Sequence, residues 1–267
     1  MSKTILITGS TDGIGLLTAK TLASAGHKIL LHGRNTEKLD KAAADVGVKT
    51  ETYAADLSSM HGVHELANNV LKQHTQLDAV INNAGVLKAS QTQTADGYDL
   101  RFMVNTFAPY ALTRALLPIL PAEARIVNLS SAAQAPVDLD ALNGRKQLDE
   151  MEAYAQSKLA ITIWSREMAK ELIDGPVVVA VNPGSLLASK MVKEGFGVEG
   201  KDMQIGADIL REAAIGSSFS DASGKYFDND RGAFAQPHAA ALDEGHSADV
   251  MQRIEAAVAK LNSASST

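Results

Sequence analysis

Short runs of β-branched and aliphatic residues alternate along this chain with longer segments whose apolar residues recur every three to four positions, and that alternation admits few folds. Candidate strands are Lys3–Thr8, Lys28–His32, Thr50–Ala54, Leu77–Asn82, Arg125–Ser130, Val177–Asn182 and Lys225–Phe227. Helical patterns fall between them at Gly13–Ala25, Thr36–Val46, Met60–His74, Ala95–Leu120, Glu152–Ile173 and Met203–Ile215. Such βα units predict an α/β fold, a doubly wound parallel sheet of Rossmann type with helices on both faces, right-handed crossovers and ligands at the carboxyl ends of the strands. Neither an internal repeat nor a Pro- or Gly/Ser-rich linker divides the chain, so residues 1–261 are expected to form one domain. Val250, Ile254, Val258 and Leu261 keep a helical rhythm suited to packing on the body, and the small polar residues 262–267 are expected to be a flexible tail.

Composition removes several classes of function. With 45% hydrophobic and 21% charged residues, the 267-residue chain can bury a sizeable core. A net charge of -6 argues against nucleic acid or anionic lipid as a partner. The absence of cysteine excludes disulfides, thiolate zinc sites, iron–sulfur clusters and a cysteine nucleophile. Neither a secretion signal nor a membrane-length apolar stretch is visible, so a soluble, cytoplasmic location without membrane contact is expected.

The turn after the first strand reads Gly9-Ser10-Thr11-Asp12-Gly13-Ile14-Gly15 and opens a helix. Glycines there let the backbone approach a pyrophosphate whose charge is met by free N–H groups at the helix start. Where an NAD-binding chain carries an acid after the second strand, this one has Arg34, which can grip a 2′-phosphate, so NADP(H) is expected over NAD(H). Asp12 and Glu37 are nearby acids that work against that preference. Asp56-Leu57 follows the third strand, where a carboxylate can accept from an adenine amino group, and Asn82-Asn83-Ala84-Gly85 follows the fourth, where small residues let the backbone near the adenine ribose.

Tyr154 and Lys158 are i and i+4 neighbours on a helical segment. An adjacent ammonium is expected to lower the phenol's pKa, letting the pair exchange a proton with an alcohol or carbonyl oxygen. Ser130 and Ser131 end the fifth strand, where a hydroxyl can polarise a substrate oxygen; strand alternation allows one of the two to reach the site without saying which. Pro109 follows Asn105 by one helical turn and cannot donate to its carbonyl, which frees that oxygen to hold a water.

Taken in order, Thr8 to Gly15, Asn82 to Gly85, Asn105, Ser130-Ser131, Tyr154 to Lys158 and Asn182-Pro183-Gly184 resemble the short-chain dehydrogenase/reductase family over nearly the whole chain. Asp138-Leu139-Asp140, Tyr154 to Ala160 and Gly224 to Asp230 are similar to its retinol-dehydrogenase-like branch. The resemblance implies hydride transfer between a nicotinamide and a carbonyl or secondary alcohol. In it Ser131 is the hydroxyl donor, Tyr154 the acid/base, Lys158 the ribose ligand that tunes the tyrosine, and Asn105 the holder of a relay water. Cofactor contacts are implied for Gly9 to Gly15, Arg34, Asp56, Leu57, Asn82, Ala84, Gly85, Tyr154, Lys158, Pro183 and Gly184. The partners implied are a small carbonyl or alcohol substrate and a second subunit, in a dimer or tetramer formed through Ala95–Leu120 and Glu152–Ile173.

A longer than usual spacing from Ser131 to Tyr154 departs from the family pattern and leaves a monomer open; its residues suit a wall of the substrate cleft, an altered subunit contact or a surface loop. Glycines and apolar residues from Ser185 to Met203 suit a lid over an apolar or bulky substrate, with Ser189 a candidate contact to the nicotinamide amide. His238 and His246, with Asp243 and Glu244 between them, lack a metal-ligand spacing, and no metal is expected. The rival readings are a non-catalytic NADP(H)-sensing or interaction protein of the same fold and, behind it, an epimerase or dehydratase.

Overall fold

The computed structural model describes residues 2–47, 50–188 and 199–265. One eight-stranded sheet organises them in the order β3-β2-β1-β4-β5-β6-β7-β8. Seven strands are parallel: β1 (Thr4–Ile7), β2 (Lys28–Gly33), β3 (Thr50–Ala54), β4 (Ala79–Asn82), β5 (Arg125–Leu129), β6 (Val177–Asn182) and β7 (Tyr226–Asp228). The eighth, β8 (Ala233–Ala235), runs antiparallel along the β7 edge and has no counterpart in the sequence reading; three residues are too few to show a period.

Alternation within each strand divides the core. Leu6, Leu30, Val80, Ile126 and Val178 face α3 (Met60–Gln73), α5 (Ala108–Leu116) and α7 (Glu150–Glu171). Their neighbours Ile5, Ile7, Ile29, Leu31, Ile81, Val127, Val179 and Val181 face α1 (Gly13–Ser24), α2 (Thr36–Val46) and α8 (Gln204–Ile215). A sheet apolar on both faces requires two helical layers, and that requirement is why every connection between the parallel strands crosses over. Asp12, Asn35, Ser59 and Asp149 cap α1, α2, α3 and α7 by accepting a backbone N–H, as side chains of these types do at helix starts.

The single helix expected over Ala95–Leu120 is broken. Gly97 takes a positive φ of 83° and Asp99 caps a short α4 (Leu100–Phe102). One turn of π-helix follows at Met103–Phe107, in which the Ala108 N–H reaches back to the Met103 carbonyl. With no amide hydrogen on Pro109 to bond the Asn105 carbonyl, the wider turn replaces an α-turn that cannot close.

Residues 132–153 fold against the body. Val137, Ala141 and Leu142 are buried, α6 (Leu139–Leu142) packs on the C-terminal helix, and a cleft of about 320 Å³ separates residues 144–150 from residues 92–101. That C-terminal helix, α9 (Glu244–Ser265), extends through residues 262–265, where a tail was expected. Val250, Met251, Ile254, Ala257, Val258 and Leu261 bury its apolar face with Phe102, Tyr110 and Trp164, and Tyr110 donates to Glu255 at 3.3 Å. Part of the surface offered by α5 and α7 for subunit pairing is therefore covered from within the chain. Among the described residues no helix is long and apolar enough to cross a membrane. Most of the lid expected over Ser185–Met203, with Ser189, lies outside the described residues.

Candidate active site

The glycine turn is held open by contacts that no single segment supplies. Gly9 has φ +64°, and a Cβ on it would stand 2.8 Å from the Ala84 Cα. A Cβ on Gly15 would meet the Asn83 carboxamide at 2.4 Å. That carboxamide donates to the carbonyls of Thr8 and Gly9 at 2.8 and 2.9 Å, while the Ala84 N–H donates to the Thr8 hydroxyl at 3.0 Å. Asn83, unremarked beside Asn82 in the sequence, thus fastens the turn after β4 to the turn after β1. His32 works from the other side: the Gly9 N–H donates to Nδ1 at 3.1 Å, so Nε2 carries the proton and donates to the Ala55 carbonyl at 3.1 Å. Burial presses this imidazole down from its ordinary value to about 4, against the Ala55 hydrogen bond and Asp56, so it is neutral at physiological pH. The signal that would have found it is a histidine inside an apolar strand, where both ring nitrogens need partners.

Asp12 accepts from the Gly13 N–H at 2.7 Å, whereas the N–H groups of Ile14 and Gly15 have no partner among the described residues. Two free donors at a positive helix end, beside glycines with no room for a side chain, fit the pyrophosphate of a dinucleotide. Ser10 is wholly buried and donates back to the Ile7 carbonyl at 2.8 Å, so it shapes the turn. The Thr11 methyl fills the space beside Gly33. Arg34 follows β2, exposed and without a hydrogen bond or ion pair among the described residues. Asp56 is exposed and Leu57 buried after β3. The Asn82 carboxamide points away from the turn, donating to Asn128 at 2.7 Å and Thr113 at 3.1 Å, which leaves only its main chain to a ligand.

Strand alternation decides between the two serines. Val80 and Asn82 face α5 and α7, as do Ile126 and Asn128, and Ser130 continues that parity. Its hydroxyl is locked to α7 through the Lys158 carbonyl at 3.1 Å and Thr162 at 2.7 Å. Ser131 leaves the strand, and its hydroxyl accepts from the Ala133 N–H at 3.1 Å while lying near enough to the Tyr154 phenol to favour its ionised form.

Tyr154 and Lys158 project from α7 as one pair, the ammonium 5.6 Å from the ring centre and donating at 2.7 Å to the Leu129 carbonyl. The expected lowering of the phenol pKa is not what the chain alone produces. Burial pushes Tyr154 up, with only the Ser131 hydroxyl opposing it, and lowers Lys158 from 10.5 to about 8. Both groups are shut away from water, and that cost exceeds what an ammonium committed to a carbonyl returns.

Asn105 completes the cluster from the π-turn. Its side chain accepts from the Val86 N–H at 2.8 Å and donates to the Val86 carbonyl at 3.0 Å and to Ser157 at 2.9 Å; Ser157 in turn donates to the Tyr154 carbonyl. Gly85 is packed between them, since a Cβ there would meet the Asn105 Oδ1 at 3.4 Å and the Lys158 Nζ at 3.5 Å. Pro183 and Gly184, the latter at φ +125°, follow β6. The His238 imidazole accepts from the Ala240 N–H, whereas at His246 it is the main-chain N–H that donates to Asp243.

The model of the short chain dehydrogenase family matches residues 3–197, which span the glycine turn, the Ser131–Tyr154–Lys158 cluster and Asn105. The chain belongs to the short-chain dehydrogenase family. Within the family it lies in the retinol-dehydrogenase-like branch. It is 34% identical over 251 residues to human retinol dehydrogenase 13, covering 85% of this chain and 76% of that one. To human retinol dehydrogenase 12 it is 32% identical over 256 residues, covering 89% and 81%. Among solved structures, a Mycobacterium paratuberculosis protein aligns with TM-score 0.75 at 25% identity, over 96% of this chain and 93% of that one. An Escherichia coli CFT073 short chain dehydrogenase complexed with NADPH aligns with TM-score 0.70 at 28% identity, over 85% and 96%. As a short-chain dehydrogenase the chain is an oxidoreductase on a Rossmann-type sheet.

Proposed function

We propose that this oxidoreductase transfers a hydride between NADP(H) and the carbonyl or secondary-alcohol carbon of an apolar or bulky substrate, in the reductive direction with NADPH. The observation that carries the reading is the meeting of Ser131, Tyr154, Lys158 and Asn105 at the carboxyl ends of the central strands, beside a glycine turn with free N–H donors. When bound, the dihydronicotinamide supplies the hydride. Ser131 donates to the substrate oxygen as negative charge develops on it, and Tyr154, protonated because burial keeps it so, delivers the proton. Lys158 is placed to hold the nicotinamide ribose and to make the phenol more acidic once that polar surface lines the pocket. The Asn105 side chain is taken up by Val86 and Ser157, which leaves its carbonyl as the atom to hold a relay water.

Preference for NADP(H) rests on Arg34, a free guanidinium at the end of β2, and on the NADPH-bound E. coli relative. Substrate class rests on the retinol dehydrogenases among the relatives. The test is the initial rate of NADPH oxidation against aldehydes and small and bulky ketones, with all-trans-retinal in the panel, for the wild type and Tyr154→Phe. Turnover that the phenylalanine variant loses by about 10²-fold or more carries the proposal. NADPH binding without turnover of any panel member points instead to a sensing protein, and failure to bind either nicotinamide cofactor overturns the account.

A further inference from the structure

The segment Gly224 to Asp230 carries the likeness to the retinol-dehydrogenase-like branch, yet the reaction above assigns it no part. Its contacts reach both walls of the cleft. At one end, Tyr226, buried in β7, donates its hydroxyl to the Ser131 carbonyl at 3.1 Å. Gln134 donates to the same carbonyl at 2.9 Å and is itself steadied by the His238 N–H at 3.0 Å. Ser131 is past the end of β5, where the sheet no longer holds its main chain, so these two donors fix where its hydroxyl points.

At the other end, Asp228 and Asp230 accept from the Asn182 carboxamide at 2.9 and 3.0 Å. The freed oxygen of that carboxamide accepts from the Gly184 N–H at 3.2 Å. Asp230 also takes both the N–H and the hydroxyl of Ser185, and Asn229 donates to the Pro183 carbonyl at 2.9 Å. Partial burial works against the Asp230 charge, but the hydrogen bonds from Ser185 and Asn182 and the nearby Lys201 outweigh it and hold the carboxyl below its ordinary range. Asn182, Pro183 and Ser185 of this turn are therefore bonded to one short segment of chain, and Gly184 to the Asn182 carboxamide that the segment holds.

We propose that residues 226–230 form a positioning bracket, in which Tyr226 holds the Ser131 main chain while Asp228 and Asp230 hold the Asn182–Ser185 turn. One rigid segment then sets the separation between the hydroxyl proposed to polarise the substrate oxygen and the turn whose Pro183 and Gly184 are the proposed cofactor contacts on that side of the cleft. None of these residues touches the reacting atoms; they act through Ser131 and through the turn. The inference rests on the proposed reaction, and its test separates the two.

Calorimetric titration with NADPH and with 2′-phospho-ADP-ribose, which lacks only the nicotinamide, compares wild type with Asp230→Ala. Loss of the bracket should weaken NADPH by about tenfold while leaving the truncated ligand within about twofold. Tyr226→Phe should leave both affinities within about twofold and lower kcat about tenfold at unchanged KM, read on the panel carbonyl that the wild type reduces fastest. Thermal unfolding checks that each variant is folded; should the alanine variant not be, Asp230→Asn takes its place with an expected loss of about threefold. Equal weakening of both ligands, or unchanged NADPH affinity in a folded Asp230 variant, overturns the bracket while the proposed reaction stands. A wild type that binds no NADPH overturns the reading beneath it.

Discussion

Replacing Lys158 with methionine should alter how folding stability depends on pH, in a direction set by burial. Lys158 is 4% exposed, donates at 2.7 Å to the Leu129 carbonyl, and is lowered by burial from 10.5 to about 8. The unfolded chain keeps the ordinary value, so between about pH 8 and 10.5 it binds more protons than the folded one and stability rises with pH. Below about pH 8 both states hold the proton and the folded state bears the whole penalty. At about 1.4 kcal/mol per tenfold change in proton affinity, the penalty is about 3 kcal/mol near pH 7 and about 1.4 kcal/mol near pH 9.5. Methionine fills a similar volume, does not titrate, and forfeits a hydrogen bond worth about 1–2 kcal/mol at either pH. The variant should therefore match or exceed the wild type near neutrality, and its relative standing should fall by about 2 kcal/mol by about pH 9.5. Urea unfolding followed by far-ultraviolet circular dichroism at both pH values measures the difference. A gap between the two proteins that stays constant to within about 0.5 kcal/mol would refute the argument that burial, rather than a compensating charge, governs this lysine.

Three further outcomes follow from the same contacts. Arg34→Ala should raise the NADPH Kd about 10- to 100-fold and leave NADH within about twofold, since only the former carries the 2′-phosphate; an equal loss for both would contradict the assignment. His32, held neutral with a pKa of about 4 against an ordinary 6.5, should cost the fold about 3 kcal/mol as pH falls from 7 to about 4. Its ring resonances should titrate near the lower value, and a midpoint above 6 would show that the Gly9 and Ala55 contacts do not persist in solution. Because α9 buries its apolar face against α7 and α3, sedimentation equilibrium should return the 28.2 kDa monomer, and a dimer mass would mean that another surface pairs the subunits.

Much of the architecture is legible because local chemistry and global fold agree. Val, Ile and Leu runs, capping side chains at Asp12, Asn35, Ser59 and Asp149, and glycines at the strand-to-helix turns each act within a few residues of themselves. Where a break depended on a single covalent fact, as Pro109 deprives Asn105 of a donor, its place was readable though its form, a π-turn, was not. Tyr154 and Lys158 share a helix face by spacing alone.

The amino-acid order by itself therefore determined the parallel sheet, the family and the positions of the residues that meet in the cleft. What the tertiary structure decided is which partners those residues find. Ser130 turns to α7 and Ser131 lies near Tyr154; Asn83 and His32 fasten the glycine turn; Tyr226 and Asp230 reach across to Ser131 and Ser185. The directions in which Tyr154 and Lys158 shift belong to the same class. Periodicity, caps and turns are set by near neighbours and survive in a one-dimensional reading. Desolvation and long-range hydrogen bonds depend on atoms brought together from distant parts of the chain, and these exist only once the sheet and its two helical layers have closed.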